Sequence, residues 1–451
     1  MRCNRVRAVL TALPLLLAIC PRVASAGGES YESLTKSGQA SLEAGDFGAA
    51  DGAFKKALKT LKAKTGPQAE EALWNIAQVQ IQKGDFKASK ASCSKFVKAH
   101  KESPLAHTCL GYAYLVWKKW GLAQGSFDKA LALDADFAPA IAGLGHAFVI
   151  ANDPAKAEEK YRLALEKDGS NLEALLGLAQ VLTLAGEGSE AVELLERAVQ
   201  AHPGSAKARL ALGKALGKGD VAIEHLKKAV EIRPSWDEGL LALGEAYYAT
   251  GKHPEAIAAL TEALAVQPAF GQAEKTIGLC LFQQGEYTQA VEKLNAVLSK
   301  IPNLPDAALA LAMSYDALNS YEEAVDAYKK AMDLDSKNAE PVFKLADLYY
   351  RMGKATSALS TLEKAVAIKP GLGKAFKLMG DIYFEGKQYK LAGESYKKAL
   401  AGDMTGVEKS FVEARIKQID SMKKCRPRAR PPLPDPAESL PGGNFRPAGD
   451  D

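Results

Sequence analysis

A phase-locked series of small residues constrains this chain more than anything else in it. Gly38, Ala77, Gly111, Gly145, Ala179, Gly213, Gly244, Gly278, Ala312, Ala346 and Gly380 recur with spacings of 39, 34, 34, 34, 34, 31 and then 34 four times. A second series follows, twelve residues behind in most units, at Ala50, Ser89, Ala123, Ala157, Ala191, Ala222, Ala256, Ala290, Ala324, Ala358 and Ala392. A third lies seven residues further on, with Ala57, Ala130, Ala164 and Ala198 as its first alanines; Phe96 and Val297 depart from it. Units of this length cannot bury an apolar face alone, so the chain must stack them and cover the ends.

Within each unit apolar residues return at three and four, as Leu240, Leu243, Tyr247 and then Ile257, Leu260, Leu264 do. That period predicts two helices of about 12 to 14 residues per unit, joined by tight turns such as Gly84-Asp85 and Gly251-Lys252. Small residues belong where two helix backbones approach within the usual 8 to 10 Å.

The pattern resembles the tetratricopeptide repeat over eleven tandem units from about Tyr31 to Met404. The unit Asp237 to Pro268 carries it most fully, through Leu243-Gly244, Tyr247, Ala256, Ala263 and Pro268. The resemblance implies an all-α, right-handed superhelical solenoid whose first helices line a concave groove. The first spacing, 39, is expected to lengthen the second helix of the first unit near Thr65-Gly66-Pro67. The spacing of 31 shortens the sixth unit at Gly217-Lys218-Gly219-Asp220 and predicts a bend or weak point there. An amphipathic segment with Phe411, Val412, Ile416, Ile419 and Met422 on one side reads as a C-terminal capping helix.

The expected domains are therefore a signal peptide over 1–26, the solenoid over 27–404, the cap over 405–425 and a disordered Pro-rich tail over 426–451. Arg2, Arg5 and Arg7, the apolar run Ala8 to Ile19 and Ala24-Ser25-Ala26 predict cleavage between Ala26 and Gly27, and hence an exported, periplasmic or extracellular protein. Two other readings exist: a membrane anchor, which twelve apolar residues are too few to make, and a lipidated Cys20, disfavoured by Ile19 before it and Pro21 after it. No transmembrane segment is expected in the mature chain.

Removing the leader takes four arginines from a formal charge of +4, and a neutral chain without a basic stripe argues against nucleic acid as a partner. The tail holds seven prolines among its 26 residues and contains Arg428, Pro431 and Pro434 at polyproline-ligand spacing, which a solvated spacer explains as well. Cys93, Cys109, Cys280 and Cys425 remain after the leader, too few for a disulfide framework. Cys93 on one second helix and Cys109 on the next first helix fall at similar heights and form the candidate disulfide, if their Cα atoms approach within about 7 Å.

No zinc-peptidase, nucleophile-elbow or phosphate-loop motif occurs, so no catalytic, cofactor-binding or metal residue is assigned. His146 lies in a groove position without a local carboxylate or cysteine. The inward positions of the first helices give Trp74 and Tyr112 early in the chain, then Tyr248, Phe282, Phe343, Asp347, Tyr350, Asp381 and Phe384, for which ligand contact and helix packing are both open. The family's carboxylate clamp of paired Lys and Asn is unsupported, since only Asn75 fits it. The resemblance implies a noncatalytic exported scaffold or adaptor that binds a protein or extended peptide along its groove. The alternative is a helical periplasmic subunit of a polysaccharide synthesis or export machine, with an oligosaccharide near Asp347, Tyr350, Asp381 and Phe384.

Overall fold

A computed structural model of the chain describes residues 29–63 and 65–424. The expected leader, with Cys20, Ala26 and Gly27, and the Pro-rich tail, with Cys425, lie outside the described residues. Among those described there are 23 α-helices and no strand. The chain falls into two compact units that divide in sequence between Gly239 and Leu240.

In unit 1 the helices are α1 (Tyr31–Glu43), α2 (Phe47–Thr60), α3 (Pro67–Gln82), α4 (Phe86–Ala99), α5 (Pro104–Val116), α6 (Trp120–Leu133), α7 (Ala138–Ile150), α8 (Pro154–Lys167), α9 (Leu172–Ala185), α10 (Gly188–Ala201), α11 (Ala206–Leu216) and α12 (Asp220–Ile232). The division falls inside α13 (Asp237–Ala249). Unit 2 continues with α14 (His253–Val266), α15 (Gly271–Gln284), α16 (Tyr287–Lys300), α17 (Pro305–Ala317), α18 (Tyr321–Leu334), α19 (Ala339–Arg351), α20 (Ala355–Ile368), α21 (Gly373–Glu385), α22 (Tyr389–Leu400) and α23 (Gly406–Lys424). Each helix packs on its successor within a repeat, and in unit 1 the first helices α3, α5, α7 and α9 also touch side by side.

The turns follow the chemistry of their residues. Asp46, Asp85 and Asp153 accept hydrogen bonds from the N–H groups of Ala49, Ala88 and Lys156, closing the open ends of α2, α4 and α8. The preceding turn needs a left-handed residue, supplied by Gly84 (φ 72°) in repeat 2 and Gly186 (φ 87°) in repeat 5.

The small residues of the first series are seats for large ones. Sixteen residues after Gly38, Gly111, Gly145, Gly244, Gly278 and Gly380 stand Phe54, Phe127, Tyr161, Leu260, Leu294 and Tyr396, all at 0% exposure. A Cβ added at Gly111 would fall 2.4 Å from the Phe127 ring, and one at Gly145 would fall 2.5 Å from Tyr161. In unit 1 the same rings also press on the next first helix: added Cβ atoms at Gly143 and Gly177 would lie 2.3 and 2.4 Å from Phe127 and Tyr161. Phe127 and Tyr161 thus each lock three helices at close approach.

Repeat 2 uses a covalent version of this lock. Cys93 stands sixteen residues after Ala77, and Cys109 occupies the place that Gly143 takes one repeat later. Their sulfurs are bonded, with Cα atoms 5.4 Å apart. At the other end Tyr396 packs with Val412 and Ile419 of α23, both buried, so the last helix covers the face that a further first helix would cover. Phe411 and Met422, expected on that buried side, are 42% and 38% exposed.

One sequence expectation is corrected. The extra residues near Thr65-Gly66-Pro67 do not extend the second helix of repeat 1, for α2 ends at Thr60 with 14 residues. They form the connection and the longer α3, of 16 residues, because Leu61 turns extended (ψ 127°) and Pro67, lacking an N–H, starts a helix rather than continuing one. The missing turn of repeat 6 is taken from α11, which has 11 residues and ends at Gly217 with φ 71°.

Candidate functional site: the concave faces of the two units

The first helices of unit 1 carry a connected row of rings. Trp74 on α3 meets Tyr112 on α5 edge to face with centroids 6.0 Å apart, and Tyr112 lies 6.1 Å from the His146 ring on α7. His146 Nδ1 is 2.7 Å from the Tyr161 hydroxyl, and its Nε2 is 3.3 Å from Glu173 Oε2 on α9. Glu173 is the carboxylate that His146 lacks in its own sequence neighbourhood. It comes from one repeat later, and with Lys207 it shares a site where desolvation is outweighed by the His146 hydrogen bond and charge, so its carboxyl is held below the ordinary value.

Unit 1 also closes on itself. Glu43, at the end of α1, takes a hydrogen bond from the Ala206 N–H at the start of α11, in the field of Lys207, Arg233 and His202; desolvation there outweighs these partners and raises its carboxyl pKa. Beside it the Arg233 guanidinium lies 5.5 Å from the Phe47 ring and 5.0 Å from that of Trp236. Gly45, at φ 79°, admits this arginine: a Cβ there would fall 2.6 Å from Nε. The seam borders a cavity of about 670 Å³ lined on one side by Trp74, Asn75 and Gln78 and on the other by His202, Ser205 and Ile232. Arg233→Ala is expected to release α1 and α2, since a partly desolvated cation over aromatic rings contributes about 1 kcal/mol, or roughly fivefold in opening. Amide exchange should rise in α1 and α2 and stay unchanged in α7 to α9; rates in α1 and α2 equal to those of the native protein would show that Arg233 does not hold these helices.

In unit 2 the structure brings Tyr248 and Phe282 together on the wall of one cavity of about 480 Å³, with Leu279, Leu309 and Met313 as apolar floor. Its polar rim is Lys275 paired with Asp306 at 3.0 Å and Gln272 donating to Glu245 at 2.9 Å. Phe343 faces a different recess, beside Lys344, Lys369 and Asp403. Asp347 accepts from Arg351 Nε (3.2 Å), and Arg351 also holds Asp316 through Nη2 at 2.6 Å. The Tyr350 hydroxyl donates to Glu385 at 2.6 Å, and burial together with that bond pushes it up to about 12. Asp381 accepts from Tyr396 (2.7 Å) and Lys377 (2.8 Å), while Phe384 lies under the Arg415 guanidinium of α23 at 4.5 Å. All nine expected groove residues are half-buried. Tyr248 with Phe282, and Trp74 with Tyr112, are brought together; Asp347, Tyr350, Asp381 and Phe384 are engaged within the scaffold.

Sequence reasoning missed Lys275, Asp306, Glu173 and the Glu43–Arg233 seam, whose members pair across repeats. Cys280, the free cysteine among the described residues, is buried, and burial pushes its thiol up to about 11, so it offers no nucleophilic thiolate near neutral pH.

An all-helical stack of paired antiparallel helices with a lined concave face defines a superhelical repeat protein of the kind that serves as a binding scaffold. Family models described as tetratricopeptide repeat match residues 35–104, 241–308, 343–406 and 148–215, and one described as TPR repeat matches 314–353. The chain belongs to the tetratricopeptide repeat family. No curated protein matches it. Among solved structures it is similar to the APC/C hetero-tetramer Cut9-Hcn1, at 14% identity over 86% of this chain and 96% of that one with a TM-score of 0.42. Yeast Tom70 matches at 13% identity over 87% and 96% of the two chains (TM-score 0.39). YrrB, titled as a TPR protein with an unusual peptide-binding site, matches at 24% identity over 40% and 95% (TM-score 0.31).

Proposed function

We propose that this is an exported, noncatalytic adaptor that holds an extended segment of a partner protein against the concave face of unit 2. The cavity of Tyr248 and Phe282 carries this reading: two half-buried aromatic anchors over an aliphatic floor, with charges of both signs at the rim. Aromatic anchors in a desolvated pocket dominate binding energies, and rim charges set orientation and on-rate. The basic, apolar, Ala-Ser-Ala order of the first 26 residues and the paired cysteines of repeat 2 support placement in an oxidising compartment outside the cytoplasm. The polysaccharide reading has Asp347, Tyr350, Asp381 and Phe384 as its nearest candidates; of these the Tyr350 hydroxyl and the Asp381 carboxylate bond to neighbours within the fold, and the cavity of Tyr248 and Phe282 favours the protein-segment reading.

Tyr248→Ala combined with Phe282→Ala is expected to weaken binding of a partner captured by crosslinking from Gln283 by about tenfold or more. The unfolding midpoint should stay nearly unchanged, because both rings line open space on one side. A large stability loss with undiminished affinity in the folded fraction would assign them to the core.

A further inference from the structure

Among the described residues, every large hydrophobic that unit 1 leaves exposed, apart from Leu133, sits where a first helix turns into a second. These are Trp117, Trp120 and Leu122 in repeat 3, Val149 and Ile150 in repeat 4, Leu184 in repeat 5 and Val221 in repeat 6. Trp117 and Trp120 are each 45% exposed, Val221 61% and Leu184 82%. Because α3, α5, α7, α9 and α11 lie side by side and each repeat runs up one helix and down the next, these junctions share one edge of the unit. Scattered exposed hydrophobics need no explanation, but a line of them along one edge does.

Around the two tryptophans the edge is basic: Lys83, Lys87, Lys118 and Lys119 are exposed at the turns of repeats 2 and 3 beside one acid, the α4 cap Asp85, whereas in repeats 4 to 6 Asp153, Glu187 and Asp220 offset Lys218. Lys90 stands over the rings of Phe86 and Trp117 (5.7 and 6.0 Å), which stack 4.4 Å apart, and Lys119 stands over Trp117 at 5.3 Å. Lys118 holds φ 54° where repeats 2 and 5 place Gly84 and Gly186, so a cation is kept at the tip of a turn that glycine would adopt more easily.

We propose that this edge of unit 1 docks on an anionic lipid surface, with Trp117 and Trp120 sinking to the headgroup level and the flanking lysines facing lipid charges. Amphipathic tryptophans beside lysines are the side chains that settle at a membrane interface, and basic residues there gain from negative headgroups. Trp117 and Trp120, each 45% exposed at the tip of one turn, protrude beside Lys118 and Lys119, and a bilayer interface accepts such protrusions by parting around them. No described helix is long and apolar enough to cross a membrane, which makes the attachment interfacial. The concave face of unit 2 plays no part in it.

The test is co-sedimentation of the full mature chain with extruded vesicles of phosphatidylglycerol and phosphatidylcholine, against phosphatidylcholine alone. Binding to the anionic vesicles is expected, reduced at least tenfold in Trp117→Ser/Trp120→Ser and in Lys118→Glu/Lys119→Glu, and unchanged in Tyr248→Ala/Phe282→Ala. Since Trp117 stacks on Phe86, the more exposed pair Leu184→Ser/Val221→Ser, at 82% and 61%, gives a second variant with less packing to lose, also expected to lose affinity. Brominated acyl chains should quench the native protein and spare much of the fluorescence of Trp117→Phe/Trp120→Phe, which keeps the aromatic anchors. Failure to bind anionic vesicles, binding untouched by these variants, or loss in them of a lipid-free self-association would each overturn the proposal.

Discussion

Phe127→Ala is expected to cost unit 1 about 3 to 5 kcal/mol, the range for a fully buried aromatic whose site cannot collapse. Phe127 is 0% exposed and wedged between Gly111 of its own repeat and Gly143 of the next. Helices that already touch through glycine have no side chain to swing into the void. The packing predicts a reversal of sign in a second position. Gly143→Ala in the native background places a Cβ 2.3 Å from the ring, and overpacking of roughly 1 to 3 kcal/mol outweighs a helix-propensity gain of up to about 1 kcal/mol. In the Phe127→Ala background the ring is gone and only the gain remains, so the same change stabilises. Denaturant unfolding of the four proteins measures the cycle, with amide exchange in α5 to α7 to localise it. A loss below about 1 kcal/mol for Phe127→Ala, or the same sign for Gly143→Ala in both backgrounds, would show that the glycines are not seats for the ring.

How far the sequence discloses this architecture depends on whether an interaction lies within a repeat or between repeats. The seat series was legible because every repeat needs a small residue at the same phase, and Gly111 or Gly145 can be recognised without knowing what presses on it. Gly143 and Gly177 belong to the same contact, yet other repeats fill that place with Asn75, Cys109, Ala211 or Leu378, so no periodic signal marks it. The groove residues were legible as positions but not as roles. Tyr248 and Phe282 border open space, while Asp381 differs only in having Tyr396 and Lys377 within reach. Nor could spacing disclose the seam, because Glu43 and Arg233 are brought together by the curvature accumulated over the intervening repeats, and small rotations per repeat are not written in any one of them. The end of α2 failed for a local reason: the longer spacing shows that residues are added but not to which element, and Pro67, with its fixed φ and missing N–H, favours a new helix start.

Replacing the cysteine pair tests whether repeat 2 solves the locking problem by a bond where its neighbours use a ring. Cys93 and Cys109 are both 0% exposed and close a loop with a sequence separation of 16. Closing such a loop removes chain entropy from the unfolded state and stabilises by about 3 kcal/mol. Cys93→Ala/Cys109→Ala should lose that amount, and the loss should be confined to α3 through α6 because repeats couple only to their neighbours. Reductant should bring the native protein down toward the variant while leaving the variant where it is. Burial shields the bond, so the reduction has to be carried out under mildly denaturing conditions before the unfolding is measured. The repeat phase suggests a sharper substitution. Cys93→Phe/Cys109→Gly installs the residues that Phe127 and Gly143 supply one repeat later, with Ala77 in place of Gly111 as the remaining seat. That variant should recover stability relative to the alanine pair and be indifferent to redox conditions, with Ala77→Gly improving it further despite the helix-propensity cost of glycine. Two free thiols titrated in the oxidised protein, or an alanine pair as stable as the native chain, would show that the bond does not take the place of the ring.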